Sequence, residues 1–299
     1  MGLLMKNLAF GIFVLLLLFG CTERPQSKEE IKKEIEEWHE NRLASLKSPQ
    51  GWLKLAGLFW LDEGSQTFGA GEEANIVFPD GSINEIAGSI TLEGELITIE
   101  PSDDVEFYAD GNIVTSPLHF HRDESPEFSY GRLTWTFLSR DELTGLRLYD
   151  EQSYVYTSFA GIERFPVDLN YRVKAVLRPH AEPTSIPVVN ILGQTNYNDS
   201  PGILEFNLKG EQYQLTAIDS GERLFLIIGD LTNRTSTFQG GRFLYVDNPG
   251  PNGTVIVDFN MAYNPPCAFS DYTTCPIPPS ENRLDVAIEV GEKRYITAE

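Results

Sequence analysis

Apolar residues recur first with a helical period and then, after Gly51, mostly with a period of two. Ser27 and Glu30, three positions apart, carry the signature of a capping box. Behind them Ile31, Ile35, Trp38, Arg42 or Leu43, and Leu46 fall on one helical face, while Glu29, Glu34, Glu36 and Glu37 fall elsewhere. The pattern predicts an amphipathic helix over residues 27–48, stopped by Pro49-Gln50-Gly51 and packed on the domain through its one apolar face.

The remainder, residues 49–299, reads as strands. An aromatic run over 52–61 is followed by short alternating segments at 74–78, 89–92, 95–100 and 105–108, divided by Asp80-Gly81, Glu93-Gly94 and Asp110-Gly111, which are hairpin signals. Further segments lie at 133–138, 145–149, 171–177, 186–190, 203–208, 213–218, 223–228, 242–246, 254–259 and 284–290. Short strands without helices between them predict an all-β fold, an antiparallel barrel or sandwich-like assembly behind the N-terminal helix. Residues 178–185 are turn-rich and mark a possible internal seam; no repeat of fixed period supports a propeller or solenoid.

The first residues follow a different logic. Lys6 precedes an apolar stretch from Leu8 to Phe19, which is short for a membrane span and ends at Leu18-Phe19-Gly20-Cys21. This predicts a bacterial lipoprotein signal peptide over 1–20, lipidation of Cys21, and a polar tether over 21–26. The expected location is the cell envelope, bound to a lipid bilayer. Thr22 stands where an aspartate often retains lipoproteins at the inner membrane, so the outer membrane is favoured.

Composition narrows the function. With 44 acidic against 23 basic residues, the net charge of -21 argues against nucleic acid as a partner, whose phosphates need a surplus of Lys and Arg. Once Cys21 is set aside, Cys267 and Cys275 remain, eight positions apart in a Pro-rich segment. They are expected to form a structural disulfide in an exported protein, with a free buried pair as the alternative.

Distinctive blocks run over Gly51 to Leu61, Gly145 to Asp150, Phe159 to Pro166, Pro201 to Phe206, Leu224 to Thr232, and Gly241 to Leu244. The long C-terminal block from Asp258 to Phe269, from Thr274 to Leu284 and from Glu289 to Glu292 is the most specific. Together they resemble one bacterial family, DUF1684, which has no assigned activity. The resemblance runs from about Ile35 to Glu292. It implies a common β-rich fold and lends no chemistry. Where family members commonly carry Tyr, this chain has Phe238.

Candidate chemistry rests on arginine and on polar side chains in Pro-bounded loops. From Arg122 onward there are 12 arginines and three lysines, and arginine offers a planar fork for carboxylates and phosphates. Arg140, Arg147, Arg242 and Arg283 stand at strand edges or beside polar motifs. Asp258 and Asn260 share one face of an alternating run, Asn264 precedes Pro265 and Pro266, and Asn282 adjoins Arg283. These residues define either a site for a small anionic or polyhydroxylated ligand or a rigid loop that plugs one end of the barrel. A hydrolase-like alternative uses Asp258 as acid or base with Arg147 or Arg242 stabilising negative charge. A third reading is a structural or assembly factor docking an envelope protein through Trp52, Phe59 and Trp60. His119, His121 and Asp123 offer a weak metal-ligating triplet on one short strand. Hydrolase, zincin and P-loop motifs are absent, and no cofactor is expected.

Overall fold

Ser27 opens helix α1 (Lys28–Leu46) in the computed structural model, which describes residues 26–140 and 142–296. The expected capping box is formed. The Glu30 N–H donates to Ser27 Oγ at 3.2 Å, and the Ser27 N–H donates to Glu30 Oε2 at 2.6 Å. Ile35 and Leu46 are buried, and Ile31, Trp38, Arg42 and Leu43 are half-buried, so the predicted stripe is the face that docks. The signal peptide, Cys21 and all but the last residue of the tether lie outside the described residues.

The first half is a pair of sheets built from β1 (Leu55–Trp60), β2 (Gly64–Gly69), β3 (Ile76–Val77), β4 (Gly88–Glu93), β5 (Leu96–Pro101), β6 (Phe107–Ala109), β7 (Asn112–Val114), β8 (Leu118–His121), β9 (Phe128–Tyr130), β10 (Leu133–Arg140) and β11 (Leu143–Asp150). One sheet has the order β1-β11-β10-β9-β6-β7 and the other β3-β2-β4-β5-β8. All pairings are antiparallel except β2 with β3. Alternate residues of both sheets point into one core. Trp135 of β10 is its centre, with ring centroids 5.6 Å from those of Phe78, Phe107 and Phe128.

A single turn of helix, α2 (Tyr154–Thr157), leads to the second half: β12 (Arg172–Val189), β13 (Thr195–Leu208), β14 (Glu211–Asp219), β15 (Arg223–Ile228), β16 (Arg242–Asp247) and β17 (Thr254–Asp258). Their order is β16-β15-β14-β13-β12-β17, antiparallel throughout. The edge strands β16 and β17 come alongside each other, so this sheet is nearly closed into a barrel. Tyr263, just beyond β17, completes the closure: it exchanges two backbone hydrogen bonds of 2.9 Å with Phe243 of β16.

Two sequence expectations meet a different backbone. Residues 178–185 lie inside the long strand β12, where the register shifts between Pro179 and Thr184 opposite Gly202 of β13. A Cβ on Gly202 would stand 2.2 Å from the Arg178 carbonyl oxygen, so the irregularity needs glycine. The alternation at 284–290 is real, since Leu284, Val286, Ile288 and Val290 are all buried in the barrel core, yet the segment is not a strand. It threads the barrel as an extended tail, and several of its polar backbone groups bond to side chains.

Candidate functional site

Arg242, the first residue of β16, is 1% exposed and points into the barrel. Its Nη2 lies 2.9 Å from Asp230 Oδ2 and donates to the Ile288 carbonyl at 2.8 Å, while Nη1 donates to the carbonyl of Val290. The guanidinium therefore holds the threaded tail by its backbone. Asp230 Oδ1 in turn accepts the Thr232 N–H and hydroxyl, at 2.8 and 2.5 Å, and the Ile288 N–H at 3.3 Å. Asn233 locks the same loop, accepting the Asp230 N–H at 2.8 Å and donating to Thr237 Oγ1 and the Phe238 carbonyl. The loop from 229 to 241 is thus tied at both ends, and nearly every polar side chain at its base is spent on its own shape.

Arg234 is the exception. It sits in the left-handed region at φ 73°, which a bulky side chain occupies only when its surroundings impose it, at a cost of about 1–3 kcal/mol. Its side chain lines an open pocket of about 490 Å³, together with Arg283, Asn233, Gln239, the exposed Asp285 and Asp230, whose carboxylate is already paired with Arg242. Arg283 arrives from the tail, which runs parallel to the chain at Gly229: the Gly229 N–H donates to the Asn282 carbonyl at 2.9 Å and the Leu284 N–H to the Gly229 carbonyl at 2.8 Å. Its side chain lies over Gly229, where an added Cβ would be 3.1 Å from Arg283 Cγ. Both arginines are exposed, and among the described residues neither guanidinium has a hydrogen-bond or ion-pair partner. Seven others, Arg42, Arg122, Arg132, Arg164, Arg172, Arg178 and Arg242, are each paired with a carboxylate. Two unpaired forks facing one cavity make an anion-binding arrangement.

The remaining predicted residues fall in other places. Asn282 is buried and braces the barrel, its amide donating to the Thr216 carbonyl at 3.0 Å and its oxygen accepting the Thr216 N–H at 2.7 Å. Asp258 ends β17 and Asn260 lies in the single 3-10 turn Phe259–Met261 that follows, so the alternation does not run on to it; the two side chains meet across the cap and are used up structurally. Asp258 accepts from Arg172 at 2.8 Å and from Asn260 at 2.7 Å, and Asn260 exchanges two bonds with the Asp168 backbone. Asn264 is buried against Glu292, whose Oε2 accepts its N–H at 2.7 Å and its amide at 3.0 Å. Arg147 faces away from Leu146 and Leu148, as alternation requires, and lies 5.3 Å from the centre of the Trp52 ring. Arg140 lines a separate cavity of about 190 Å³ between the halves. Arg242 thus fills the structural role of a plug clamp, and Arg283 alone of the predicted arginines faces the 490 Å³ pocket.

His119 and His121 occupy one face of β8 but do not converge on a common point. His119 Nδ1 meets Thr98 Oγ1 at 2.8 Å, and His121 lies between Glu95 and Asp123. Among the described residues no group of three or more His, Cys, Asp or Glu side chains could hold a metal ion. Trp52, Phe59 and Trp60 are half-buried, and Trp52 and Phe59 are packed against apolar clusters. Cys267 and Cys275 are both free thiols, with the Cys267 N–H donating to Cys275 Sγ at 3.0 Å.

Arg234 and Asp230 were missed by sequence reasoning. The signal was present: Gly229-Asp230-Leu231-Thr232-Asn233-Arg234 places an Asx-turn former two residues before a threonine, and an arginine where a turn demands positive φ. Only the buried pairing of Asp230 with Arg242 separates the structural arginine from the exposed ones.

The barrel half, its threaded tail and the arginine pocket form one β-sheet domain with a polar concave face. Residues 157–293 match the family described as protein of unknown function (DUF1684), and over that part the chain belongs to this family. The match takes in the whole barrel, the 229–241 loop and most of the tail, and leaves the two-sheet half outside it. A solved structure similar to this chain is the solution NMR structure of an uncharacterised protein from Haloarcula marismortui. It is 32% identical, the likeness covers 46% of this chain and 78% of that one, and the TM-score is 0.39. No curated protein matches the chain.

Proposed function

We propose that the protein is a binding module for a small molecule bearing a phosphate or carboxylate group, held between Arg234 and Arg283. The observation that carries this reading is the pair of exposed guanidinium groups without protein partners lining one pocket of about 490 Å³, within the usual range for small-molecule sites. In a chain of net charge -21, acidic side chains are plentiful, and leaving two arginines unpaired in one concave site favours an external anion. The rigid loop beneath Arg234 lowers the ordering cost of binding. Thermal unfolding in the presence of inorganic phosphate, pyrophosphate and succinate tests it. At least one anion should raise the midpoint, and the doubly substituted Arg234→Gln, Arg283→Gln protein should lose that rise. No stabilisation by any of the three, or the same stabilisation in the double variant, would sink the proposal.

We further propose that the chain is a lipoprotein of the bacterial envelope, anchored through Cys21 and favouring the outer membrane. The support is the charged, apolar and small-residue succession that ends at Gly20-Cys21. Cys21→Ser should move the protein from the membrane fraction to the soluble one. Equal palmitate labelling of wild type and variant would refute the anchor.

A further inference from the structure

The Cys267–Cys275 pair has a chemistry that the arginine pocket does not use. Cys267 belongs to a short turn, Pro266–Ala268, fixed by Pro265 and Pro266, and its backbone N–H donates to Cys275 Sγ at 3.0 Å. The same sulfur lies 3.6 Å from Thr273 Oγ1, which accepts from it and donates its own proton to the Ser270 carbonyl at 3.1 Å. The second thiol also meets it, so the backbone N–H and the thiol of Cys267 both face Cys275 Sγ, an environment that stabilises a thiolate. The hydrogen bond from Cys267 is the largest influence. With the backbone N–H and the positive charge of Arg140 it outweighs burial and holds the Cys275 thiol below its ordinary range. Cys267, which supplies that hydrogen bond and is itself half-buried, is pushed up and keeps its proton.

Access selects the reactant. Cys275 is only 4% exposed, which bars bulky disulfides. Its two chain neighbours, Thr274 and Pro276, line the cavity of about 190 Å³ shared with Arg140, Asn190 and Asn198. That space admits a molecule the size of hydrogen peroxide, and Arg140 and the asparagines give an oxygen-rich guest hydrogen-bond partners beside an apolar wall of Ile218, Phe225 and Ile227.

We infer that Cys275 and Cys267 form a dithiol site that reduces a small hydroperoxide, with Cys275 as the attacking sulfur and Cys267 as the resolving one. In the first step the Cys275 thiolate attacks the terminal peroxide oxygen. The S–O bond forms as the O–O bond breaks, and the departing hydroxide or alkoxide takes a proton from water. In the second step Cys267 attacks Cys275 Sγ, and its proton goes to the hydroxyl that leaves the sulfenic acid as water. Two thiols are oxidised to one disulfide, and one hydroperoxide is reduced to water or an alcohol plus water.

The test uses the reduced full chain in a Cys21→Ser background, so that two thiols remain. Hydrogen peroxide should consume both thiols with one equivalent of oxidant, at least ~10-fold faster than it consumes free N-acetylcysteine in the same buffer at neutral pH, since a larger thiolate fraction reacts. Peptide mass spectrometry should then find Cys267 linked to Cys275. With Cys267→Ser, dimedone should trap a sulfenic acid at position 275. Oxidation no faster than the free thiol, trapping at Cys267 instead, or a disulfide that no reductant opens in the folded protein would each overturn the inference. The wild-type rate and linkage decide the matter even if a variant fails to fold.

Discussion

Arg242 and Asp230 form an ion pair of 2.9 Å whose side chains are 1% and 0% exposed, and this pair ties the C-terminal tail into the barrel. Removing one partner leaves the other charge buried without compensation, which costs about 3–5 kcal/mol. Arg242→Met should therefore lower the urea midpoint sharply, and Asp230→Leu should do the same. The double substitution should recover much of the loss, because neither charge is then stranded. A double variant as unstable as the sum of the singles would show that the hydrogen bonds to the tail carbonyls, rather than the buried charges, carry the stability.

Asn282 makes a second, independent tie. Its side chain satisfies both backbone groups of Thr216 in the middle of β14, at 2.7 and 3.0 Å, where water does not reach. Asn282→Ala strands two buried polar groups at about 1–3 kcal/mol each. We expect a clear drop in thermal midpoint and faster amide exchange at Thr216. An unchanged exchange rate there would mean that another group had taken over the pairing.

Helix α1 and much of the strand content were legible because burial imposes a period. The Ile31-to-Leu46 stripe and alternations such as Leu204, Phe206 and Leu208 follow directly from which face meets the core. Residues 284–290 carry the same alternation for the same reason, but hydrogen bonding, not burial, decides whether an alternating segment is a strand. The partners of this tail include the side chains of Arg242 and Asp230, which no local pattern reveals. The polar residues near the C-terminus were recognisable as a constrained set, with Asn264 and Asn282 used for loop bracing. Separating Arg283 from Arg242 required knowing which of them had a buried carboxylate across the barrel.

Glu292 gives the fold a pH dependence of predictable sign. Burial raises its pKa above the ordinary 4.5, against the opposing pull of Arg42 on α1 and of the two Asn264 donors. A carboxyl raised in the folded state binds more protons there than in the unfolded chain. Its contribution is full below pH 4.5 and is lost as the pH rises through the raised value. The stability of Glu292→Gln relative to wild type should accordingly improve as pH increases across that window and then level off. Urea unfolding of both proteins at pH 4 to 8 measures it; a difference that stays constant with pH would refute the burial argument.

Gly229 offers a way to disturb the arginine pocket without touching an arginine. A methyl group there would lie 3.1 Å from Arg283 Cγ, closer than ordinary contact, and Gly229 is not among the glycines with positive φ. The backbone therefore tolerates alanine, and the strain is relieved by the flexible side chain moving aside. Gly229→Ala should change stability by less than about 1 kcal/mol, the ordinary scale of a substitution away from special features. It should nonetheless weaken the anion-dependent rise in thermal midpoint, since the two guanidinium groups no longer face one ligand together. Loss of stability with undiminished anion response would mean that Arg283 is held in place by packing alone and takes no part in binding.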